Sequence, residues 1–390
     1  MLRGRAPIIE VMRASLIAAL VLVPLSLAAQ RTSFVTTLGH DTLSFEQYTR
    51  TGDTITGDWV TTYGGIMYHH YVITLRPDGT VARYHLALHR VNGKPVGSVD
   101  MQFDADSATI TTTDPDKVQR VAAANAFPVF AGTVAPYEVI ARFARAHNRD
   151  SSVTRILPAF SSYRTGEAPL VFFAGDSAWL GNPAAPRYAR IDRSGRIEGI
   201  SARATTTRGE TRRTADYDLA SIISHFPDIP PDKNIVGAPG ISPRDTARGQ
   251  LGRATISVDY GRPAVRGRDV FARGVLGDTL WRVGANAATQ FTTDRDLKFG
   301  ESTLRAGTYS MWMRVTPDDS RFELVFNSQI GQWGTEHHAD RDVLTVPLRR
   351  LKGSAPVERL TITLPQSGEK SGAMRIVWGT TVLATPVSVP

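Results

Sequence analysis

The 390-residue chain is 42% hydrophobic and 21% charged, ordinary values for a folded protein, and its length implies two or three domains. It contains no cysteine, which excludes disulfides, thiolate metal sites, iron–sulfur clusters, a cysteine nucleophile and a lipidated N-terminal cysteine. The net charge of +8 is carried by 39 arginines and only six lysines, scattered without a basic run, so nucleic acid is not an expected partner.

At the N-terminus, Arg3, Arg5 and Arg13 precede an apolar run from Leu16 to Leu27, followed by Ala28 and Ala29. A basic start, a short hydrophobic stretch and a cleavage-like Ser26-Leu27-Ala28 predict a signal peptide over residues 1–29, and hence export to the periplasm or beyond. The run is too short to span a bilayer, and Pro24 interrupts it. Met12 is an alternative start. No later segment is long and apolar enough to span, so the mature chain is expected not to cross a membrane.

Residues 30–226 read as an antiparallel β domain. Thr54–Val60 and Tyr71–Leu75 have the β-branched and aromatic content of strands. Asp78-Gly79 separates Ile73–Leu75 from Val81–Leu88, Asn92-Gly93 joins Val81–Arg90 to Val96–Phe103, and Ser194-Gly195 joins Tyr188–Ile191 to Arg196–Ile200. Each pair predicts a type I′ hairpin, in which both central residues take positive φ. Pro136 suits a first helical turn, with Val139, Ile140, Phe143 and Ala144 forming one apolar face. A second, shorter helix is expected over Asp116–Asn125, anchored by Val118 and Val121. The result is a curved, half-barrel-like antiparallel sheet with one or two helices. On topology alone it resembles the half-barrels of periplasmic lipoprotein carriers. Trp59, Tyr63, Tyr68, Tyr71 and Tyr84 lie on neighbouring strands, either as core or as the lining of a concavity.

Pro227, Pro230, Pro231, Gly237, Pro239 and Gly240 crowd one stretch, which predicts an interdomain linker over 227–240. Residues 241–390 then read as strand after strand: Ala254–Tyr260, Leu280–Val283, Thr289–Thr293, Leu297–Phe299, Thr308–Val315, Phe322–Asn327, Val343–Leu348, Leu360–Leu364, Met374–Trp378 and Val382–Val387. Short strands with regular turns and no helical period predict a β-sandwich or jelly-roll-like domain. The chain as a whole is mainly β.

Ordered words in this second half carry a family resemblance. They are Ser242-Pro243-Arg244, Val258-Asp259-Tyr260-Gly261-Arg262-Pro263, Val265-Arg266-Gly267-Arg268, Leu280-Trp281-Arg282-Val283-Gly284-Ala285-Asn286, Ala306-Gly307-Thr308-Tyr309-Ser310, Phe326-Asn327, Gln332-Trp333-Gly334 and Asp342-Val343-Leu344. In them the C-terminal domain resembles the bacterial domain-of-unknown-function family 2911. The resemblance implies an exported β domain. It brings no catalytic residues, because the family has no established activity.

Several chemistries lack their signatures. There is no Gly-x-Gly-x-x-Gly after a strand, no phosphate-binding loop and no His-Glu-x-x-His. Gly368-Glu369-Lys370-Ser371 reads as a hairpin turn. Gly175-Asp176-Ser177-Ala178-Trp179 misses a nucleophile elbow because Trp179 replaces the last glycine. Adjacent His69 and His70 would point to opposite faces of a strand. His85 and His89 share a face but lie about 13 Å apart at strand rise. His337 and His338, with Asp340 and Glu336, form the one candidate site for a divalent metal, and with it an alternative reading as a metal-dependent hydrolase. Otherwise no cofactor is predicted.

Trp281, Asn286, Thr289, Trp333 and Arg262 are candidate ligand-binding residues, with hydrogen-bonding groups beside large apolar faces. The competing reading makes Trp281 a plug in the sandwich and Asn286 a loop cap. Arg262, Arg266 and Arg268 form either an anion site or a solvated basic loop. The sequence therefore favours an exported, non-enzymatic envelope protein binding a small apolar molecule, a glycan or an envelope protein. A metal-dependent hydrolase and a purely structural or assembly protein are the alternatives.

Overall fold

The computed structural model describes residues 30–61, 67–130, 132–148, 151–160, 163–173, 175–180, 187–202, 209–225, 242–271, 280–315 and 321–390. The expected signal peptide, the 227–240 linker and Tyr63 lie outside the described residues.

Two-residue alternation dominates the first half, and it produces strands wherever one face can be buried. These are β1 (Gln30–Leu38), β2 (Asp41–Thr51), β3 (Thr54–Thr61), β4 (Met67–Leu75), β5 (Val81–Arg90), β6 (Pro95–Phe103), β7 (Ser107–Thr113), β8 (Lys117–Ala122) and β9 (Ala126–Val129). Helix α1 (Ala135–Ala146) follows, then β10 (Ser151–Pro158), β11 (Gly166–Phe173), β12 (Ser177–Leu180), β13 (Arg187–Ile191), β14 (Ile197–Ser201), β15 (Gly209–Thr214) and helix α2 (Leu219–Ser224). They make one 15-stranded sheet in the order β8-β7-β6-β5-β4-β3-β2-β1-β15-β14-β13-β12-β11-β10-β9. Pairing is antiparallel except between β9 and β10. The first and last strands, β1 and β15, meet mid-sheet, running from Ser33 opposite Thr214 to Leu38 opposite Gly209. The sheet does not close on itself, since β8 and β9 are its two edges.

The inner face packs on α1. Phe34, Ile55, Trp59, Tyr71, Tyr84, Leu86, Val99, Met101 and Ile110 share one core with Val139, Ile140, Ala141 and Ala144 of the helix. Trp59, Tyr71 and Tyr84 are therefore core, while Tyr68 belongs to a smaller cluster with Val60, Leu219 and Ile223. That cluster seats α2, which the sequence reading missed. Its start is nonetheless written locally, because Asp218 accepts the Ser221 amide at 3.0 Å as an N-cap.

Two local expectations need correction. The three hairpins form where Asp78-Gly79, Asn92-Gly93 and Ser194-Gly195 stand, but the turns are not type I′. Only Gly79, Gly93 and Gly195 take positive φ (83°, 80° and 83°). In each, the glycine amide returns to the residue three earlier, to Arg76, Arg90 and Asp192 in turn. This is the three-residue loop that ends in a glycine bulge. Asp78, Asn92 and Asp192 stay on the negative-φ side, where their side chains accept the amides of Thr80, Lys94 and Ser194. The predicted helix over Asp116–Asn125 is the strand β8. Val118 is 68% exposed rather than a core anchor, and pairing with β7 supplies hydrogen bonds that a marginal, poorly anchored helix could not match.

The second sheet holds β16 (Arg244–Leu251), β17 (Ala254–Gly261), β18 (Thr289–Thr293), β19 (Leu297–Phe299), β20 (Ser302–Leu304), β21 (Gly307–Val315), β22 (Phe322–Asn327), β23 (Asp342–Thr363) and β24 (Ser371–Ser388). Their order is β16-β17-β18-β21-β22-β23-β24-β19-β20. Val343–Leu348 and Leu360–Leu364, expected as separate strands, belong to β23. Its first part pairs with β22 and its remainder with β24. Met374–Trp378 and Val382–Val387 are likewise both β24. Among the described residues Leu280–Val283 makes a single bridge, Trp281 to Met313. Tyr260, Phe291, Met311, Phe326, Ile362 and Ile376 form this domain's own core. The protein is thus mainly β, two-domain and sandwich-like in its second part. The domains touch where the His40 amide donates to the Arg266 carbonyl at 3.2 Å and the Arg266 guanidinium pairs with Asp41.

Candidate binding site between the two sheets

Three of the five candidate ligand residues have side chains spoken for by the fold. Trp281 is buried and stacks on Trp378, with ring centroids 5.6 Å apart and planes 8° from parallel. Thr289 is fully buried and donates to the Val283 carbonyl at 3.0 Å. Asn286 sits exposed at φ 65°, where its backbone carbonyl, not its side chain, accepts the Gly334 amide at 3.0 Å. Arg262 bonds Leu360 O, Asp245 and Thr361, each at 3.0 Å. It ties the start of the domain to β23 and has no spare fork for a ligand. Arg268 is similarly spent on the carbonyls of Ala264 and Val265. Trp333 is different: it is 48% exposed.

The histidine loop does not gather around one point. His337 Nε2 lies 2.8 Å from Asp342 Oδ1, and its ring stands edge-on to Trp312. Asn327 locks this arrangement by donating to Asp342 and to the His338 carbonyl, both at 2.8 Å. Glu336, His338 and Asp340 are exposed. Among the described residues no group of three His, Asp or Glu is placed to hold a metal ion. His69 and His70 do take opposite faces. His70 pairs with Asp58 at 2.8 Å, while His69 is buried between Trp59 and Phe130, and burial pulls its pKa down to about 3.

Trp333 lines a cavity of about 450 Å³ between the domains. The first domain contributes Thr36 from β1, Leu43 and Ser44 from β2, Trp59 from β3, Arg187 from β13, Ile200 from β14 and Thr211 from β15. The start of α1 adds Gly132, Thr133, Val134 and Tyr137, and the second domain adds Arg282, Trp333 and Thr335. Burial raises the pKa of the Tyr137 hydroxyl, against the pull of the Arg187 charge. Arg282 lies folded over Gly334, where a Cβ would stand 1.8 Å from its Cδ, and donates to the Gly334 carbonyl at 3.1 Å. Only glycine leaves room for that side chain to turn toward the first domain.

The N-terminus of α1 is not an open anion site. Val134 cannot cap it, and Glu46 reaches from β2 instead, accepting the amides of Val134 at 2.5 Å and Ala135 at 3.1 Å. Tyr71 donates to the same carboxyl at 2.7 Å. These bonds favour the ionised form, yet complete burial outweighs them and lifts the Glu46 pKa to about 7. One turn on, buried Glu138 is held by Arg142, Arg213 and the Ile197 amide.

A roomier hollow of about 640 Å³ lies beside α2, but its three carboxylates are already matched. Asp216 accepts from Ser33, Asp58 pairs with Tyr68 and His70, and Asp218 caps α2. The interdomain cavity is therefore the stronger candidate. Sequence reading found Trp333 and missed Arg282, although the latter stands inside the quoted word between Trp281 and Val283. A charged residue set between the buried Trp281 and Val283 was the available signal.

Residues 242–387 match the family model described as "Protein of unknown function (DUF2911)". The match spans the second sheet and none of the first. No curated protein matches the chain. Among solved structures, the crystal structure of a DUF1089 family protein from Pseudomonas aeruginosa is similar at a TM-score of 0.32 and 10% identity, over 40% of this chain and 89% of that one.

Proposed function

We propose that this is an exported, non-enzymatic binding protein that takes a small organic molecule between its two sheets. The observation that carries the reading is the cavity of about 450 Å³ walled by Trp59, Tyr137 and Trp333 from opposite domains. That volume lies in the range of small-molecule sites, and indoles and phenols at such a wall supply most of a ligand's apolar contact. The described lining carries hydroxyls, indoles and guanidinium groups but no carboxylate or imidazole. Such a set holds a ligand without a group suited to moving protons near neutral pH. Export rests on the basic and apolar pattern of residues 1–29.

Native mass spectrometry on the mature protein from a periplasmic extract tests this. A bound organic mass that is lost on Trp333→Ala is the expected result. A bare protein that gains no thermal stability from a small-molecule library, and whose melting temperature Trp333→Ala leaves alone, would refute it.

A further inference from the structure

Two residues that line the interdomain cavity each carry a buried donor without an acceptor. The Arg282 Nε–H and the Trp59 indole N–H are each buried and have no hydrogen-bond partner among the described residues, and both residues face this one space, from different domains. No carboxylate forms an ion pair with Arg282 among the described residues. Burial alone acts on its pKa, lowering it with no negative charge to oppose the effect. An arginine nonetheless keeps its proton, so a half-buried guanidinium stands there with the Gly334 carbonyl as a partner but no opposite charge. Arg187 adds a second positive charge at the same wall. Glu46, the buried carboxyl at the start of α1, is engaged by the α1 amides and Tyr71.

Orphaned donors, an excess of positive charge and an aromatic wall ask for one kind of occupant. We propose that the cavity binds an organic anion, its carboxylate or phosphate oxygens accepting from Arg282 and its apolar body lying against Leu43, Tyr137 and Trp333. The inference rests on the binding function proposed above and narrows it to a charge class. Arginine suits this task because its planar fork meets such oxygens in pairs.

Isothermal titration of the mature full-length protein with three probes of one skeleton tests it: naphthalene carboxylate, naphthyl phosphate and the uncharged methyl ester of the former. The anions are expected to bind roughly ten- to a hundredfold tighter than the ester, the range for a hydrogen bond to a charged group. Whichever anion binds tighter identifies the head group. Arg282→Gln should abolish the preference, and Arg282→Lys, which keeps charge but loses the fork, should restore part of it. Should Arg282→Gln fail to fold by circular dichroism, the wild-type anion-to-ester ratio and the lysine variant decide the matter. If ester and anions bind alike in wild type and variants, the charge class is wrong while the binding function stands. If none of the probes binds at all, the proposed charge class falls, and the binding function is decided by the native mass spectrometry and library screen above.

Discussion

Replacing Glu46 with glutamine separates the two forces that act on this carboxyl. The Val134 and Ala135 amides and the Tyr71 hydroxyl favour its ionised form, while full burial and the neighbouring Glu138 charge oppose it, and burial is the largest influence. A carboxyl whose pKa moves from an ordinary 4.5 to about 7 holds its proton more tightly folded than unfolded. The stability this gives is complete below pH 4.5 and is lost as pH rises through 7. At about 1.4 kcal/mol per pH unit, the loss comes to about 3 kcal/mol. Glutamine cannot ionise, so Glu46→Gln escapes it. Whatever the variant's stability at pH 4, its difference from wild type should shift in its own favour by about 3 kcal/mol by pH 8. Urea unfolding at those two pH values, followed by tryptophan fluorescence, measures the shift, and carbon NMR of the Glu46 carboxyl reads the pKa directly. A constant gap, or one that moves against the variant as pH rises, would mean that the helix amides outweigh burial and that the reasoning is wrong.

His69 runs the other way. Its pKa falls from 6.5 to about 3, so its contribution is whole above pH 6.5 and drains away as the solution is acidified toward 3. His69→Leu should therefore lose about 2 kcal/mol less than wild type between pH 7 and pH 5 in the same unfolding assay. Arg213→Met strips buried Glu138 of a partner 2.7 Å away and should cost about 3 kcal/mol, seen as a lowered urea midpoint that Glu138→Gln in the same chain partly restores. Gly195→Ala sets a Cβ 2.5 Å from the Arg142 backbone at a φ of 83°. It should cost about 3 kcal/mol and speed amide exchange along α1, whereas Gly93→Ala, in the same turn type with open space around it, should cost only about 1 kcal/mol.

The strands and hairpins were legible because their information is local. Asp78-Gly79 and Asn92-Gly93 mark chain reversal in either turn type, and only the ladder beyond them decides which forms. Helix α1 was legible because Pro136 and four apolar positions repeat at helical spacing. Helix α2 is six residues long with Leu219 as its one buried side chain, too little for a period to show. Strand β23 reads as two strands because its middle, Arg349 to Val357, is largely exposed on both faces and loses the alternation that a sequence reader follows. The site divides in the same way. Trp333 stood out by residue type, but the cavity exists only where Thr36 and Trp333, far apart in sequence, face one space. Trp281 drew attention on chemistry identical to that of Trp333, and packing against Trp378 assigned it to the core instead.

The pairing of β1 with β15 has a mechanical consequence. Ser33 lies opposite Thr214, so the chain enters and leaves this sheet at the same end of one strand pair. A pull on those two points acts across the ladder rather than along it, and the hydrogen bonds of that seam yield one after another instead of together. Yet each flank of the seam is a run of sequential neighbours, β1 to β8 on one side and β9 to β15 on the other. Under tension the sheet would part like a zip into two intact ribbons, with α1 and its buried Glu46 and Glu138 contacts left as the clasp between them.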